Sequence, residues 1–507
     1  MTAIASINPT TGKTIANVAE PTTEAEVARI VERAAAAAPA YAALGRNFRS
    51  TFLRTIADKL EAAREDIVSL AHRETAIPEV RLNGELTRTS YQARFFADII
   101  EDGGYLEVTI DRAGDTPMGP GPDLRRMLVP LGPVAVFGAS NFPLAFSVPG
   151  GDTISALAAG NPVVVKAHGS HPALSLLCYD ILASAATQSG APIGTIGIVF
   201  GTRAGADLVA HPDIHAVGFT GSLSGGKALM DIIGGRENPI PFYGELSSLN
   251  PLIVTNQAAG ARAASIAEGL VASITVSAGQ LCTKPGLILA PQGEHGDALV
   301  DNIRHLIEDV PAAALLNDRI HSSYNKLHAN LSTLPKVTTL AHGLDSPEHG
   351  FYATPRILEV KAEDVTGAEL EECFGPSAVI VRYIPEAINE TLTLLPSSLT
   401  ATIHAEEDEK ALVEELSTQL LPRTGRLIFN QYPTGLLVSW AQHHGGPWPA
   451  TNAQHTSVGA TAIRRFLRPL VWQNAPAHAL PTELQDHTEN IPRRVDGQLR
   501  LPTTVPS

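Results

Sequence analysis

Apolar residues recur at helical spacing through the first hundred residues, where they predict three helices, over 27–38, 52–67 and 91–100. Thr23 and Glu26 form a capping-box pattern before the first helix, and Pro39 is expected to stop it. Each helix carries its apolar residues on one face, so these helices need a partner surface.

From residue 134 onward, short β-branched runs alternate with helix-length segments; the runs are 134–137, 162–165, 196–200, 216–220 and 252–254. Such runs, bounded by Gly, Pro and Asn, are typical of βαβ units around a buried parallel sheet. A second stretch of the same kind extends from about 260 to about 445, and the chain from Phe466 is polar enough to be an arm. The predicted fold class is α/β.

Composition and charge exclude several classes. The chain has 507 residues, 44% of them apolar and 18% charged, as in a soluble multidomain protein. The net charge of −15 without a basic tract argues against nucleic acid or membrane partners. The uncharged stretch 127–151 contains four prolines, so it is predicted to be strand, turn and loop instead of a spanning helix.

Three cysteines without a CxxC pair argue against a disulfide framework or a zinc site, and no metal is predicted. The first residues lack a basic region followed by an apolar core, so no signal peptide is expected. Both observations favour the cytoplasm.

A glycine-rich turn spans residues 221–228, after a predicted strand and before a predicted helix. It nearly matches a phosphate-binding P-loop, but Ala228 lacks the hydroxyl that would bind Mg²⁺. The turn is open to two interpretations: a turn without a ligand, or a helix N-terminus that binds some other phosphate. No GxGxxG motif occurs.

Three polar residues are candidates for chemistry. Cys282 lies between Gly279 and Gly286, which favours an accessible loop, although a lone cysteine is commonly a small buried apolar residue. Glu245 follows an almost uncharged strand, where a water-activating base is one explanation. Asn141 follows a strand, where either ligand binding or turn formation explains it.

Together these segments resemble the aldehyde dehydrogenase superfamily over most of the chain. The motifs that carry the resemblance are, in chain order, Asn141-Phe-Pro143, Lys166 after 163–165, Phe219-Thr-Gly-Ser222 with Gly226, Glu245-Leu246 with Asn250-Pro251, Gly279-Gln-Leu-Cys282 and Glu372-Cys-Phe374-Gly-Pro376. Within that family, segments 429–435, 443–447 and 456–469 are most similar to the NADP-dependent 2,5-dioxovalerate dehydrogenases. Ser140 and the pair Ser247-Ser248 depart from common family residues and alter the walls of the site.

The resemblance implies two Rossmann-like parallel-sheet domains and a small oligomerisation element. The implied divisions are 1–103 with 131–245 for the cofactor-binding domain, 246–445 for the catalytic domain, and 104–130 with 446–507 for the oligomerisation hairpin and C-terminal arm. A homodimer or homotetramer is expected.

The resemblance also implies a covalent mechanism. Cys282 would attack the aldehyde, the Asn141 amide and the Cys282 backbone N–H would hold the oxyanion, and Glu245 would activate the water that hydrolyses the thioester. The implied cofactor residues are Lys166, His168, Gly169, Thr220, Gly221, Ser222, Gly226, Glu372 and Phe374. Gly169 stands where NAD-preferring members have a glutamate, so NADP is expected, with NAD as the alternative.

The expected substrate is 2,5-dioxopentanoate, which would be oxidised to 2-oxoglutarate. Its carboxylate needs a cation or several hydrogen-bond donors as it leaves water. The candidate substrate residues are Phe142, Ser247, Ser248, His443 and His444, the two serines and two histidines for the carboxylate, although adjacent histidines before a Gly-Gly pair also suit a turn. The alternatives are a fatty-aldehyde or succinate-semialdehyde dehydrogenase, a relative that passes the thioester to phosphate or CoA, and a catalytically silent binding protein.

Overall fold

A β-hairpin precedes the predicted helices. The computed structural model describes residues 3–502, and its first elements are the antiparallel strands β1 (Ile4–Asn8) and β2 (Lys13–Ala19). The expectation that the first hundred residues are helical is therefore wrong for this segment. Most side chains of β2 are exposed, so the strand leaves no alternating apolar pattern in the sequence.

Helices fill the rest of the N-terminal region: α1 (Glu24–Ala43), α2 (Gly45–Ala62), α3 (Arg64–Thr75) and α4 (Glu79–Asp102). The predicted capping box of α1 is confirmed. Thr23 Oγ1 accepts a hydrogen bond from the Glu26 backbone N–H at 3.4 Å, and Glu26 Oε2 accepts one from the Thr23 backbone N–H at 2.8 Å.

Two helix boundaries differ from the prediction. Helix α1 continues through Pro39, because Tyr41 beyond it is fully buried and donates a hydrogen bond to the Leu157 carbonyl at 2.9 Å. The predicted helix over 52–67 is two helices, which are separated at Ala63. In both places packing and local backbone geometry prevail over the apolar periodicity.

The first sheet is parallel, with strand order β11-β10-β7-β8-β9. Its strands are β7 (Val134–Phe137), β8 (Val163–Lys166), β9 (Ile196–Val199), β10 (Ala216–Thr220) and β11 (Phe242–Glu245). The helices of this region are α5 (Gly151–Ala159), α6 (Pro172–Ser189), α7 (Thr202–Ala210) and α8 (Leu223–Gly234). Helices and parallel strands alternate as the apolar runs predict.

The second sheet has the order β15-β17-β18-β13-β12-β19-β20 and is parallel apart from β15. Its strands are β12 (Leu252–Val254), β13 (Leu287–Pro291), β15 (Thr338–His342), β17 (Arg356–Lys361), β18 (Ser377–Tyr383), β19 (Ser398–His404) and β20 (Thr424–Phe429). The accompanying elements are α9 (Asn256–Thr275), α10 (Glu294–Glu308), α11 (Asp318–Leu331), α12 (Ile388–Leu392), α13 (Lys410–Leu420) and the strand pair β14 (Ala313–Ala314) and β16 (Tyr352–Ala353). The predicted α/β class is confirmed.

The C-terminal arm completes a third sheet, with order β21-β6-β3-β22-β23. The strands are β3 (Thr109–Asp111), β6 (Leu124–Pro130), β21 (Leu467–Gln473), β22 (Arg493–Val495) and β23 (Gln498–Arg500), with the small hairpin β4 (Gly114–Thr116) and β5 (Gly119–Gly121) beside them. The arm also contributes buried apolar side chains, at Leu484, Ile491 and Val495. The arm therefore buries apolar side chains, although its composition predicts a polar surface segment.

The uncharged stretch 127–151 is divided among strand and loop. It contains the end of β6, all of β7 and a loop that leads into α5, as its prolines predict. Across residues 3–502, the structure contains no helix that is both long and apolar enough to span a membrane.

Candidate active site

The carboxyl ends of neighbouring strands bring the candidate residues together. Thr220 ends β10 and pairs in register with Glu245, which ends β11, while Asn141 follows β7 on the other side of β10. Ligands of open α/β sheets bind at this edge. Cys282 reaches the same place from the loop before β13 of the second sheet, so the site lies between the two sheets.

A cavity of about 780 Å³ connects these residues. The predicted site residues that line it are Asn141, His168, Thr220, Gly221, Ser222, Glu245, Ser247, Ser248, Cys282, Glu372 and Phe374. The predicted residues outside its lining are Phe142, Lys166, Gly169, Gly226, His443 and His444. The cavity has the size of a small-molecule site.

Glu245 is held from two sides. Its Oε1 accepts a hydrogen bond from His444 Nε2 at 2.9 Å, and its Oε2 accepts one from Ser457 Oγ at 2.9 Å. Burial raises the pKa of Glu245, but His444, Ser457 and the Cys282 thiol outweigh burial, so the pKa lies below its ordinary value. Glu245 is therefore ionised at neutral pH and available to accept a proton.

The Cys282 thiol adjoins the same pair of residues. Its Sγ lies 3.6 Å from His444 Nε2. Burial raises the pKa of the thiol well above its ordinary value, and the negative charge of Glu245 raises it further. At neutral pH Cys282 is consequently a thiol.

Asn250 positions the loop that carries Cys282. Its amide donates hydrogen bonds to the Cys282 carbonyl at 2.8 Å and to the Lys284 carbonyl at 3.0 Å. Asn250 itself has a left-handed backbone, with φ of 51°, which asparagine tolerates better than most residues. Lys284 Nζ then donates to the backbone carbonyls of Cys373 at 2.8 Å and Ser377 at 2.6 Å. The Cys282 loop is therefore held by Asn250 on one side and by the segment 373–377 on the other.

The side-chain amide of Asn141 faces the loop that carries Cys282. The amide nitrogen donates to the Gln280 carbonyl at 2.9 Å, and the Asn141 carbonyl accepts from Arg81 at 2.8 Å. An amide nitrogen carries two hydrogens, so one donor is left for a ligand oxygen. The residue is buried and lines the cavity beside Cys282.

The far end of the cavity is the N-terminus of α8. Ser222 caps this helix by accepting from the Gly225 N–H at 3.2 Å. A side chain at Gly226 would collide with Leu246, so glycine lets the helix approach β11 closely. Exposed N–H groups at such a terminus suit a phosphate of a nucleotide, and the residues present therefore fit a dinucleotide.

Lys166 is the last residue of β8, and His168 and Gly169 follow that strand. Burial, together with the charge of Arg319, lowers the pKa of Lys166 to about 8. Burial holds the pKa of His168 well below its ordinary value, so the ring is neutral, and its Nδ1 accepts from the Ser170 N–H at 3.1 Å. The His168 proton therefore lies on Nε2, which can donate a hydrogen bond to a ligand. A Cβ at Gly169 would meet no atom within 4 Å.

Glu372 lies beside the two serines that depart from the family pattern. Burial raises the pKa of Glu372 to about 7, although Lys284 and hydrogen bonds from Ser247 and the Ser248 backbone oppose the rise. Ser247 Oγ also accepts from the Leu223 N–H of α8, at 3.4 Å. Ser247 thus lies on the α8 side of the cavity, whereas the Ser248 hydroxyl donates to Asn250 Oδ1 at 2.7 Å and accepts from the Leu399 N–H of β19 at 2.9 Å.

The chain is similar to known proteins over most of its length. Residues 1–447 match the model of the aldehyde dehydrogenase family. Alpha-ketoglutaric semialdehyde dehydrogenase 2 of Azospirillum brasilense is 43% identical over 484 residues, covering 94% of this chain and 92% of its own. The alpha-ketoglutaric semialdehyde dehydrogenase of Acinetobacter baylyi is 41% identical over 462 residues, covering 89% of this chain and 87% of its own. The chain belongs to the aldehyde dehydrogenase family.

Solved structures of low sequence identity share the fold of this aldehyde dehydrogenase. A 1-pyrroline-5-carboxylate dehydrogenase from Thermus with bound NAD has a TM-score of 0.80 at 21% identity and covers 93% of this chain and 89% of its own. An NADP-dependent enzyme of E. coli has a TM-score of 0.79 at 22% identity and covers 93% of this chain and 94% of its own. The predicted family and fold are confirmed, and family membership implies a nicotinamide cofactor.

The two histidines proposed for the substrate carboxylate lie in different places. His444 of the dehydrogenase is buried and contacts Glu245 and Cys282. The His443 ring lies beside Gly425 and Gly445 and does not line the cavity. Because a carboxylate only accepts hydrogen bonds, His444 Nε2 carries the proton that it shares with Glu245.

Several residues near the site were not found from the sequence. Ser457 holds Glu245, and three arginines, Arg81, Arg88 and Arg426, lie close enough to Cys282 for its charge to affect their pKa values. Arg81 and Arg88 flank a glutamate at helical spacing in α4, which in sequence looks like a solvated ion-pair face. The sequence carries no signal that this face turns inward.

The cluster of Glu245, Cys282 and His444 also has the spacing of a metal site. One ligand atom each from Glu245, Cys282 and His444 lie within 4.8 Å of one another. Thiolate, imidazole and carboxylate are the ligand types of Zn²⁺ in proteins. A metal held there would occupy the sulfur that the family chemistry needs.

Proposed function

We propose that this aldehyde dehydrogenase oxidises 2,5-dioxopentanoate to 2-oxoglutarate with NADP, and that NAD is a poorer alternative. The observation that carries the substrate is the 43% identity to an alpha-ketoglutaric semialdehyde dehydrogenase over 94% of this chain. The sequence segments 429–435 and 443–447, which lie outside the catalytic motifs, support the same subfamily.

In the first half-reaction the Cys282 thiol gives its proton to solvent water, the sulfur bonds to the aldehyde carbon, and the carbonyl oxygen becomes an oxyanion. The free amide hydrogen of Asn141 and the Cys282 backbone N–H stabilise that oxyanion. The bound nicotinamide supplies the acceptor for the hydride that leaves the former aldehyde carbon. A thioester on Cys282 results.

In the second half-reaction Glu245 takes a proton from water, and the resulting hydroxide attacks the thioester carbon. The carbon–sulfur bond breaks, so the acid is released and the thiol is restored. His444 and Ser457 hold the two oxygens of Glu245 at 2.9 Å and so fix its orientation towards the sulfur. The balance is one aldehyde, one water and one oxidised cofactor converted to one carboxylate, one reduced cofactor that would carry the hydride, and two protons.

The residues that would hold the cofactor are spread along the cavity. The α8 N-terminus at Thr220, Gly221 and Ser222 suits the pyrophosphate, and Glu372 and Phe374 suit the nicotinamide ribose. Lys166 and His168 suit the adenosine ribose and its 2′-phosphate. Gly169 supports NADP, because it removes a carboxylate that would repel the phosphate and leaves open space there.

We further propose the domain division 1–103 with 131–245, 246–445, and 104–130 with 446–507. The third sheet, which joins the last two of these segments, supports their grouping as one oligomerisation element of a homodimer or homotetramer. A cytoplasmic location is part of the same proposal.

The deciding experiment compares kcat/KM for 2,5-dioxopentanoate, succinate semialdehyde, glutaraldehyde and decanal with NADP⁺ and with NAD⁺. We expect 2,5-dioxopentanoate with NADP⁺ to be best. Decanal better by tenfold, about 1.4 kcal/mol of transition-state preference, contradicts the proposal and favours a fatty-aldehyde enzyme. Cys282→Ala should abolish oxidation, whereas the matched Cys178→Ala, a fully buried cysteine of α6, should retain most of it.

A further inference from the structure

Arg88 is a buried cation without a partner for the end of its side chain. Both terminal nitrogens, Nη1 and Nη2, are buried and have no hydrogen-bond partner among residues 3–502. Its Nε donates to the Leu436 carbonyl at 3.4 Å. A guanidinium removed from water without acceptors is unfavourable, so this arrangement calls for a ligand that supplies them.

One aromatic ring separates Arg88 from the catalytic cluster. Arg88 Cζ lies 5.0 Å from the centre of the Phe146 ring, and that ring lies 6.1 Å from the ring of His444. His444 Nε2 is in turn 3.6 Å from Cys282 Sγ. Burial lowers the pKa of Arg88, while the charge of Glu85, that of Cys282 when it is ionised and that of Glu245 raise it, which agrees with this proximity.

The two neighbouring arginines already have hydrogen-bond partners, whereas Glu85 Oε2 is buried and, among residues 3–502, accepts no hydrogen bond. Arg81 donates to the Asn141 carbonyl at 2.8 Å and faces Glu85 Oε2 at 3.8 Å. Glu85 Oε1 accepts from two backbone N–H groups, at 2.9 and 3.0 Å. Arg426 donates to two loop carbonyls, at 2.9 and 3.3 Å. Of these three arginines, Arg88 is therefore the one whose two terminal nitrogens both lack a hydrogen-bond partner among residues 3–502.

We propose that Arg88 binds the carboxylate of the substrate and thereby holds the aldehyde carbon at Cys282. This assignment rests on the proposed function. A guanidinium fork matches a carboxylate with two parallel hydrogen bonds, and the carboxylate of an extended five-carbon oxoacid lies roughly 5 Å from its aldehyde carbon, at the rise per bond of an extended chain. Because both nitrogens are enclosed and Arg88 lies outside the lining of the cavity, binding requires the loop at Leu436, whose carbonyl accepts from Arg88 Nε, to shift outward.

The test compares two aldehydes of equal carbon number, 2,5-dioxopentanoate and pentanal. Arg88→Met should lose about 10²-fold in kcat/KM for 2,5-dioxopentanoate, chiefly through KM, and change little for pentanal. Arg88→Lys keeps the charge but not the fork and should lose about tenfold, again for the oxoacid alone. The matched control is Arg94→Met, an arginine of the same helix that pairs with Asp58 at the surface.

A binding measurement accompanies the kinetics. The product 2-oxoglutarate should slow the alkylation of Cys282 by iodoacetamide in the wild type and in Arg94→Met but not in Arg88→Met. Equal losses for both aldehydes, or no loss for either, would overturn the assignment. If the wild type prefers 2,5-dioxopentanoate and Arg88→Lys keeps that preference in full, the assignment alone fails. If the wild type oxidises both aldehydes equally, the proposed function fails, and the assignment of Arg88, which rests on that function, fails as well.

Discussion

The effect of Glu245 on the Cys282 thiol can be tested by removing one charge. The substitution Glu245→Gln keeps the shape of the side chain but removes the carboxylate that raises the pKa of the thiol. We therefore expect Cys282 to become more reactive towards a simple alkylating agent, while turnover collapses because water is no longer activated. The same substitution should thus move two measurements in opposite directions.

The size of the effect follows from the distance between the groups. The sulfur and a Glu245 oxygen lie within 4.8 Å of each other. At an effective dielectric constant of about 20, two unit charges at that distance interact by about 3 kcal/mol, and Glu245→Gln removes this repulsion. A thiolate of lower pKa is also a weaker nucleophile, with a Brønsted slope of about 0.5. The net expectation is alkylation about tenfold faster at neutral pH.

The assay is the rate of iodoacetamide labelling of the Cys282 peptide at pH 7, measured by mass spectrometry. The control is Glu268→Gln, an exposed glutamate of α9, which should label at the wild-type rate. A rapid burst of reduced cofactor should persist in Glu245→Gln when the thioester forms but is not hydrolysed. Slower labelling in Glu245→Gln would refute the electrostatic reasoning, since it would mean that Glu245 removes the thiol proton.

Three further outcomes are expected. Gly169→Glu, which the open space there accommodates, should weaken NADP⁺ relative to NAD⁺ in kcat/KM, and an unchanged ratio would place recognition of the 2′-phosphate elsewhere. Glu372, with its pKa raised to about 7, should lose its charge as the pH falls from 8 to 6, so the cofactor affinity measured by fluorescence titration should fall over that range. Glu372→Gln should remove this pH dependence of affinity. The same pH dependence in the variant would disprove the role of Glu372. Zn²⁺ should inhibit oxidation and block alkylation of Cys282, both reversibly with EDTA, and labelling at an unchanged rate would show that the Glu245, Cys282 and His444 spacing binds no metal.

Short-range patterns in the sequence predicted their elements well. The runs at 134–137 and 216–220 are strands with those same bounds, and the capping box at Thr23 is formed. Each of these depends on residues within a few positions, which the sequence displays directly. Glu245 and Asn141 lie together because they end or follow strands of one parallel sheet, and Cys282 joins them from the loop before β13 of the second sheet.

Features that depend on distant residues were not predicted. Helix α1 passes Pro39 because Tyr41 packs against a segment more than a hundred residues away. His444 lies 199 positions from the Glu245 carboxylate that it contacts, so nothing local distinguishes it from a turn residue. Arg88 belongs to a helix whose charges look solvated until the loop at Leu436 covers them. Burial of a polar group is a property of the tertiary structure, and the local sequence shows it poorly.

The hydrogen bonds to Glu245 have a consequence for synthesis on the ribosome. The carboxylate needs His444 and Ser457, whereas the nucleophile is translated at residue 282. At translation rates of about 5–20 residues per second, the thiol exists for roughly ten seconds or more before its partners are made, while the N-terminal sheet already folds. Activity therefore arises late in translation, and a nascent chain released before Ser457 carries the nucleophile without the complete support of its base.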